Sequence, residues 1–359
     1  MPGVDAGTLY RAADLQQFAT QLLRRVNVAP DDADLTARSL IEANLRGVDT
    51  HGVTRVLVPY IRRLQAGVTN AQTEIAIVQD APSTALLDGK NSIGQVVAAR
   101  AMRLAIDKAK STGSAWVGVA HSNHFGTAAF YALMAAERDM IGIVMTNGIA
   151  SVAPTGGRAA MLSTNPIAFA IPAGDEPPVV VDMATSVVAR GRIMLYDKQG
   201  LPLPDGWALD ETGKPTNDAG AALRGTLLPF GSYKGYALSL VIDLLCGVMT
   251  GALFGSHFHG ALADDMEHPM NVGHVFGVID PARFLPLPVF KERMDQALRE
   301  LRACPPAEGS HGVLIPGDIE RNERERRLRE GIPLPDAVIA DFQQLSAEFG
   351  VPMPEPLHL

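Results

Sequence analysis

The apolar stretch from Tyr236 to Phe254 constrains this chain more than any other feature, because it is long enough to cross a bilayer as a helix. Asp243 stands at its centre, and a carboxylate in hydrocarbon is costly. Gly247, Gly251 and Gly255 recur every fourth residue, so as a helix they would share a face and let a neighbour approach closely. The stretch therefore reads as a core helix of a soluble protein with no membrane partner. The rest of the composition agrees. With 359 residues and 47% apolar content, one large domain or two ordinary ones can bury a core without a disulfide or metal staple. Charged residues make up 19%, too few for disorder. The net charge of −8, with no stripe of Lys and Arg, argues against nucleic acid as a partner. Cys246 lies in the apolar stretch and reads as a buried thiol. With Cys304 it forms no motif, which fits a reducing compartment. Met1 to Thr20 lacks the basic-then-apolar layout of a signal peptide, so a cytoplasmic location is expected.

Periodicity divides the chain into three parts. Residues 1–75 read as helical. Leu15, Phe18, Leu22 and Leu23 share one helical face, Pro30 with Asp31 and Asp32 opens a second helix, and Val53, Val56, Leu57, Tyr60 and Leu64 mark a third, interrupted or begun near Pro59. Residues 76–285 mix short strands with helices and read as an α/β (α+β) sheet domain. Strands are predicted at 75–78, 85–87, 116–120, 141–145, 167–171, 179–182 and 275–279, with helices at 93–110 and 127–138. Gly200–Asp218 is predicted as an ordered loop over a site. Residues 286–359 return to helices, which are expected to pack with the N-terminal part as one layer flanking the sheet.

The chemistry begins with an absence. No two glycines stand at positions i and i+2, so there is no GxGxxG fingerprint, and no Walker A, HExxH, GxSxG or CxxC motif occurs. Two segments nevertheless look able to hold an anion. Ser122–Thr127 joins a strand to a helix whose first N–H groups are expected to be free. Pro229–Tyr236 sets Lys234 between glycines at a helix start. The run Arg46–Arg55 places His51 and Arg55 four residues apart, on one face if helical: a proton donor beside a carboxylate clamp, or a surface pair. His257, His259, His268 and His274, with Asp264, Asp265 and Glu267, match no zinc spacing and read as loop residues, so no metal is predicted.

Taken together, RGVDTHGVTR (46–55), SNHFGTAAFYA (122–132), TNG (146–148), STNPIAFAIP (163–172), VDMATSVVARGRI (181–193), GLPLPDGWALDETGKPT (200–216), the segment 227–255 and LIPGDIE (314–320) resemble, in colinear order, the malate/L-lactate dehydrogenase family. This is the non-Rossmann group that includes sulfolactate and ureidoglycolate dehydrogenases, diketogulonate reductase and cyclic-imine carboxylate reductases. The resemblance implies its fold, a central mixed sheet flanked by helices from both chain ends. It implies interconversion of a small 2-hydroxy acid and its 2-oxo acid with NAD or NADP, in a homodimer. It implies His51 as acid–base with Thr50 beside it, and His124 as the competing candidate. Arg55, Thr164, Arg190 and Gly191 fall on substrate contacts. His124, Phe125, Gly126, Thr127, Ala128, Asp182, Met183, Ala184, Lys234, Gly235, Pro316, Gly317 and Asp318 fall on cofactor contacts, although the family more often has Glu where Asp318 stands. An imidazolium at position 51, with a pKa near working pH, would supply the proton for reduction. Reduction of a cyclic imine carboxylate is the alternative, and a metal-dependent hydrolase or an inactive binding protein stands outside it.

Overall fold

The computed structural model describes residues 7–357 apart from Ala261 and Asp264. A short strand β1 (Thr8–Tyr10) leads into helices α1 (Ala12–Arg25), α2 (Pro30–Leu45) and α3 (Val53–Gln65). α1 buries Leu15, Phe18, Leu22 and Leu23 along the stripe that the spacing predicts. Pro30 occupies the first turn of α2, where its missing N–H costs nothing, and Asp31 and Asp32 follow at the positive end of the helix dipole. Pro59 lies inside α3 and does not end it.

Strands β2 (Ala76–Asp80) and β3 (Thr84–Asp88) precede α4 (Gly94–Thr112) and β4 (Ser114–Ser122). Then come α5 (Ala128–Ala136), β5 (Ile141–Thr146), β6 (Ile167–Ile171) and β7 (Val179–Met183). A second group holds α6 (Arg190–Gln199), β8 (Ala208–Leu209), β9 (Pro215–Thr216), α7 (Ala219–Arg224) and β10 (Thr226–Leu227). The chain ends with α8 (Tyr233–Asp243), β11 (Val272–Ile279), α9 (Leu287–Arg302), α10 (Asp318–Glu330), β12 (Ile332–Leu334) and α11 (Asp336–Phe349).

Seven strands form one mixed sheet in the order β2-β3-β4-β11-β5-β6-β7. Only β3 and β4 run parallel, so this is not a doubly wound sheet. The last strand in sequence, β11, fills the centre between β4 and β5. α4 and α5 pack on one face, and α2 rests against both of them. The chain ends meet: β1 pairs antiparallel with β12, α11 lies against α1 and α3, and α10 lies against α2. α9 stands outside this layer, where the Asp295 carboxylate accepts from the N–H groups of Gly174, Asp175 and Glu176 and braces the β6–β7 connection.

Two segments depart from expectation. The stretch Tyr236–Phe254 is not one core helix. α8 ends at Asp243 and continues through the wider turns of Leu244–Val248, and the chain reverses at Gly251 with φ +82°. Ile242 and Cys246 are buried against the sheet, whereas Val241, Leu244, Val248 and Met249 are each about half exposed. Gly200–Asp218 is not all loop, since it carries β8 and β9. It builds a second small core in which Leu203 and Ala208 join Ile193 and Leu227, and no residue of it lines the cleft described below.

Candidate active site

The site begins at the junction of α2 and α3. Asp49–His51 form a single 3₁₀ turn, and Gly52, in extended conformation, caps α3. His51 and Arg55 therefore do not share one helix face; His51 precedes the helix and Arg55 lies in its first turn. Gly52 is needed because a Cβ there would fall 2.1 Å from Asn44 Oδ1. The Asn44 amide ties the turn at both ends. Its Nδ2 donates to Asp49 Oδ1 (2.6 Å) and its Oδ1 accepts from the Val53 N–H (2.8 Å).

Thr50 and His51 open onto a cleft of ≈ 250 Å³. Thr50 Oγ1 lies 2.9 Å from His51 Nδ1, so that nitrogen is held, and Nε2 has no side-chain partner among the described residues. Behind His51 the His124 ring stacks at 5.5 Å between centroids. Tyr60 Oη accepts from Gln95 Nε2 (2.9 Å) and lies 2.5 Å from His124 Nδ1 and 3.3 Å from the His124 carbonyl oxygen. Burial first, then the Arg55 charge, lowers the His51 pKa to about 4; burial and the neighbouring histidines lower that of His124 to about 3. Both rings are thus neutral at pH 7, not the imidazolium that an ordinary histidine pKa would allow. Arg55 is exposed, and its one side-chain partner among the described residues is the thioether of Met194, at 3.5 Å. A side chain at Gly191 would begin in van der Waals contact with Thr50 and Arg55.

The rest of the cleft lining is acidic on balance, with Asp182 and Glu320 against Arg46. It also includes Gly126, Thr127, Ala128, Thr164 and Ala184. Asp182 Oδ2 accepts from the Ala129 N–H (2.8 Å), so the start of α5 already holds a carboxylate and is not the free anion nest that the turn predicts. Surrounding protein holds the Asp182 carboxyl up at about 6, against the lowering effect of Arg46.

A malate/L-lactate dehydrogenase family model matches residues 10–343. The chain belongs to that family. The malate/(S)-sulfolactate dehydrogenase of Methanothermus fervidus is 38% identical over 92% of this chain and 95% of its own length. The sulfolactate dehydrogenase structure from Methanocaldococcus jannaschii superposes with a TM-score of 0.90 at 36% identity, covering 96% of this chain and 98% of that one. The Δ1-piperideine-2-carboxylate reductase structure from Pseudomonas syringae pvar. tomato gives 0.85 at 30% identity, covering 94% and 99%. The non-Rossmann sheet and the family match agree, and this member of the malate/L-lactate dehydrogenase family is an oxidoreductase.

Not every residue that the family resemblance marks reaches the cleft. Phe125 turns into the core, edge-on to His274 at 4.6 Å. Arg190 donates to the Leu223 carbonyl (2.8 Å), toward α7. Lys234, beside Gly235, is exposed at the start of α8 and outside the cleft lining; Met183, also exposed, ends β7. Asp318 is buried, bonded to the Ile315 N–H, Arg302 and Arg321, while Pro316 accepts from the Val180 N–H and Gly317 packs against Val180. Glu320, one turn along α10, faces the cleft instead. Tyr60, Gln95, Arg46 and Glu320 were not marked. Tyr60 hid in the apolar stripe of α3, whose buried side carries its hydroxyl to His124. The histidine-rich loop is dispersed: His274 sits inside the sheet, His257 packs on Phe254, and His259 stacks on His268. Asp264 of that set lies outside the described residues.

These buried imidazoles make stability depend on acid. His274 is fully buried between Thr146 Oγ1 (2.8 Å) and Ser122 Oγ (2.9 Å), and burial lowers its pKa to about 3. Between pH 6.5 and about 4 the unfolded chain binds a proton at positions 51, 124 and 274 that the folded chain refuses. Stability therefore falls as pH drops, by up to ~1.4 kcal/mol per pH unit for each histidine. Asp182 and Asp243, both raised, work in the opposite sense with fewer protons. The urea midpoint is expected to fall from pH 7 to pH 5, and less steeply in His274→Gln. A midpoint that is level across that range contradicts the prediction.

Proposed function

We propose that this chain interconverts a small 2-hydroxy acid and its 2-oxo acid, with NAD or NADP as redox partner and His51 as the acid–base. One observation carries this reading. A neutral imidazole lines the cleft, and the Arg55 guanidinium, near enough for its charge to lower the pKa of that imidazole, has no carboxylate partner among the described residues. The cleft suits the reacting half of a nicotinamide nucleotide. Pro166, Val180, Ala184 and Ala189 offer apolar walls for a planar ring, and the Asp182 carboxylate can accept from ribose hydroxyls. Its volume is below the ~300–1,000 Å³ of sites that enclose drug-sized ligands, so the rest of the nucleotide would lie nearer the surface.

A bound nicotinamide supplies or accepts the hydride at C2 of the acid. Arg55 holds the carboxylate, exchanging a thioether for a charge-assisted pair. Neutral His51 accepts the hydroxyl proton during oxidation. In reduction it must first be protonated, and the arriving carboxylate assists by cancelling the Arg55 charge that lowers its pKa. His124 remains neutral, held at Nδ1 by Tyr60. The likeness to the Pseudomonas reductase supports a second reading, in which the same parts receive a cyclic imine carboxylate.

The test is turnover followed by reduced-nicotinamide absorbance with malate, lactate, sulfolactate, ureidoglycolate and piperideine-2-carboxylate, each with both cofactors. Activity on a hydroxy acid supports the first reading, and activity on the imine alone supports the second. No activity with any pair rejects both. We also assign the apolar outer face of α8 to a homodimer contact, because Val241, Leu244, Val248 and Met249 form an exposed strip there. Light scattering is expected to give twice the chain mass, and a monomer at working concentration contradicts the assignment.

A further inference from the structure

The turn that carries His51 is gripped by a residue from the far end of the chain. Arg327, on α10, is 5% exposed. Its Nη1 and Nη2 form a fork on the Asp49 carboxylate at 2.6 and 3.0 Å, and Nη1 also donates to the Asn44 carbonyl at 2.7 Å. Glu323 accepts from its Nε (2.5 Å). Asp49 starts the 3₁₀ turn, and its carbonyl accepts from Thr54 Oγ1 (2.7 Å) on α3. Among the described residues, His51 itself has only Thr50 as a side-chain hydrogen-bond partner. Its position is therefore inherited from the turn, and the turn is held by Asn44 on one side and Arg327 on the other.

We propose that Arg327 is a positioning residue for the acid–base at His51, acting through Asp49. This rests on the reading of His51 given above. Two further contacts keep α10 in register with α2: Arg324 Nε donates to Glu42 Oε1 (2.8 Å), and Glu323 packs against Gly47. The same helix carries Glu320 into the cleft. α10 thus reaches both the cleft, through Glu320, and the histidine turn, through Arg327. A planar fork is required because a point charge cannot hold both carboxylate oxygens. A displacement of about 1 Å in a reacting group costs roughly 10²-fold in rate, so a loosened turn should lower kcat while leaving nucleotide affinity alone.

Three variants test this: Arg327→Lys, Arg327→Met, and the double variant Asp49→Asn with Arg327→Met. Arg327→Met strands the partly buried Asp49 carboxylate and should lower Tm, whereas the double variant removes both charges and should recover most of it. The expected result is that kcat stays at least about tenfold down in all three, including the double variant, with the KM for the acid and the Kd for NADH or NADPH by fluorescence nearly unchanged. A merely structural Arg327 would let kcat return with Tm, and that outcome overturns the proposal. The His51 Cε1–H resonance, assigned with His51→Ala, should also shift in the double variant. If the wild type turns over no acid with either cofactor, the functional reading fails. The resonance then decides the inference alone, and an unmoved signal rejects it.

Discussion

Replacing His51 with alanine is expected to lower kcat by about 10²–10⁴-fold, the usual contribution of a general acid–base. The nucleotide should still bind, since the substitution leaves Asp182 and the apolar lining of the cleft in place. The pH profile carries a sign. In the free protein the His51 pKa is about 4, so the base is already deprotonated at neutrality. The kcat/KM for alcohol oxidation should be level from pH 8 down to about pH 5 and should fall below that. For reduction, where protonated His51 is needed, the rate should climb as pH falls over the same range. His124→Ala should be milder, because that ring is neutral and its Nδ1 is committed to Tyr60. If His51→Ala turns over normally while His124→Ala is inactive, the two roles are reversed.

Arg55→Leu is expected to lower kcat/KM for the acid by about 10²-fold, corresponding to roughly 2–4 kcal/mol for the lost charge-assisted pair. The loss should appear in both KM and kcat, because the carboxylate that Arg55 holds also orients C2. Arg55→Lys should recover only part of it, since an ammonium cannot meet both oxygens. A second effect follows from the geometry. Arg55 is one of the charges that lower the His51 pKa, so its removal should move that pKa upward in the free protein. Steady-state kinetics across pH would show both effects. An unchanged KM in Arg55→Leu would place the carboxylate elsewhere.

Much of the order of secondary structure could be read from periodicity because helices such as α1 and α3 show one apolar stripe and the buried strands a short apolar run. α1, β6 and α11 match the pattern closely. What periodicity lacks is adjacency. Nothing local to Val272–Ile279 says that it belongs between β4 and β5, and nothing in Asp318–Glu330 says that Arg327 reaches Asp49. The motif around His51 was visible, but its geometry was not: a single extended glycine separates the histidine from the helix that holds Arg55. Side-chain direction was equally hidden. Tyr60 looks apolar in a stripe and proves to be a hydrogen-bond partner of His124, and Phe125 stands in a cofactor-like turn and proves to be core. Asp318 and Glu320 differ by two positions, and only the fold decides which one is locked and which is open to the cleft.

The central place of β11 has a consequence for biosynthesis. While the ribosome is still making the first 271 residues, β4 and β5 have emerged with a vacant slot between them. Each offers unpaired backbone groups that any stray extended segment can occupy. The nascent domain must keep this gap open until its last strand arrives from well over a hundred residues downstream of β5, a long-range closure that slows folding. Truncated products that end before Val272 should accordingly be found with chaperones or in aggregates, and not as partly active enzyme.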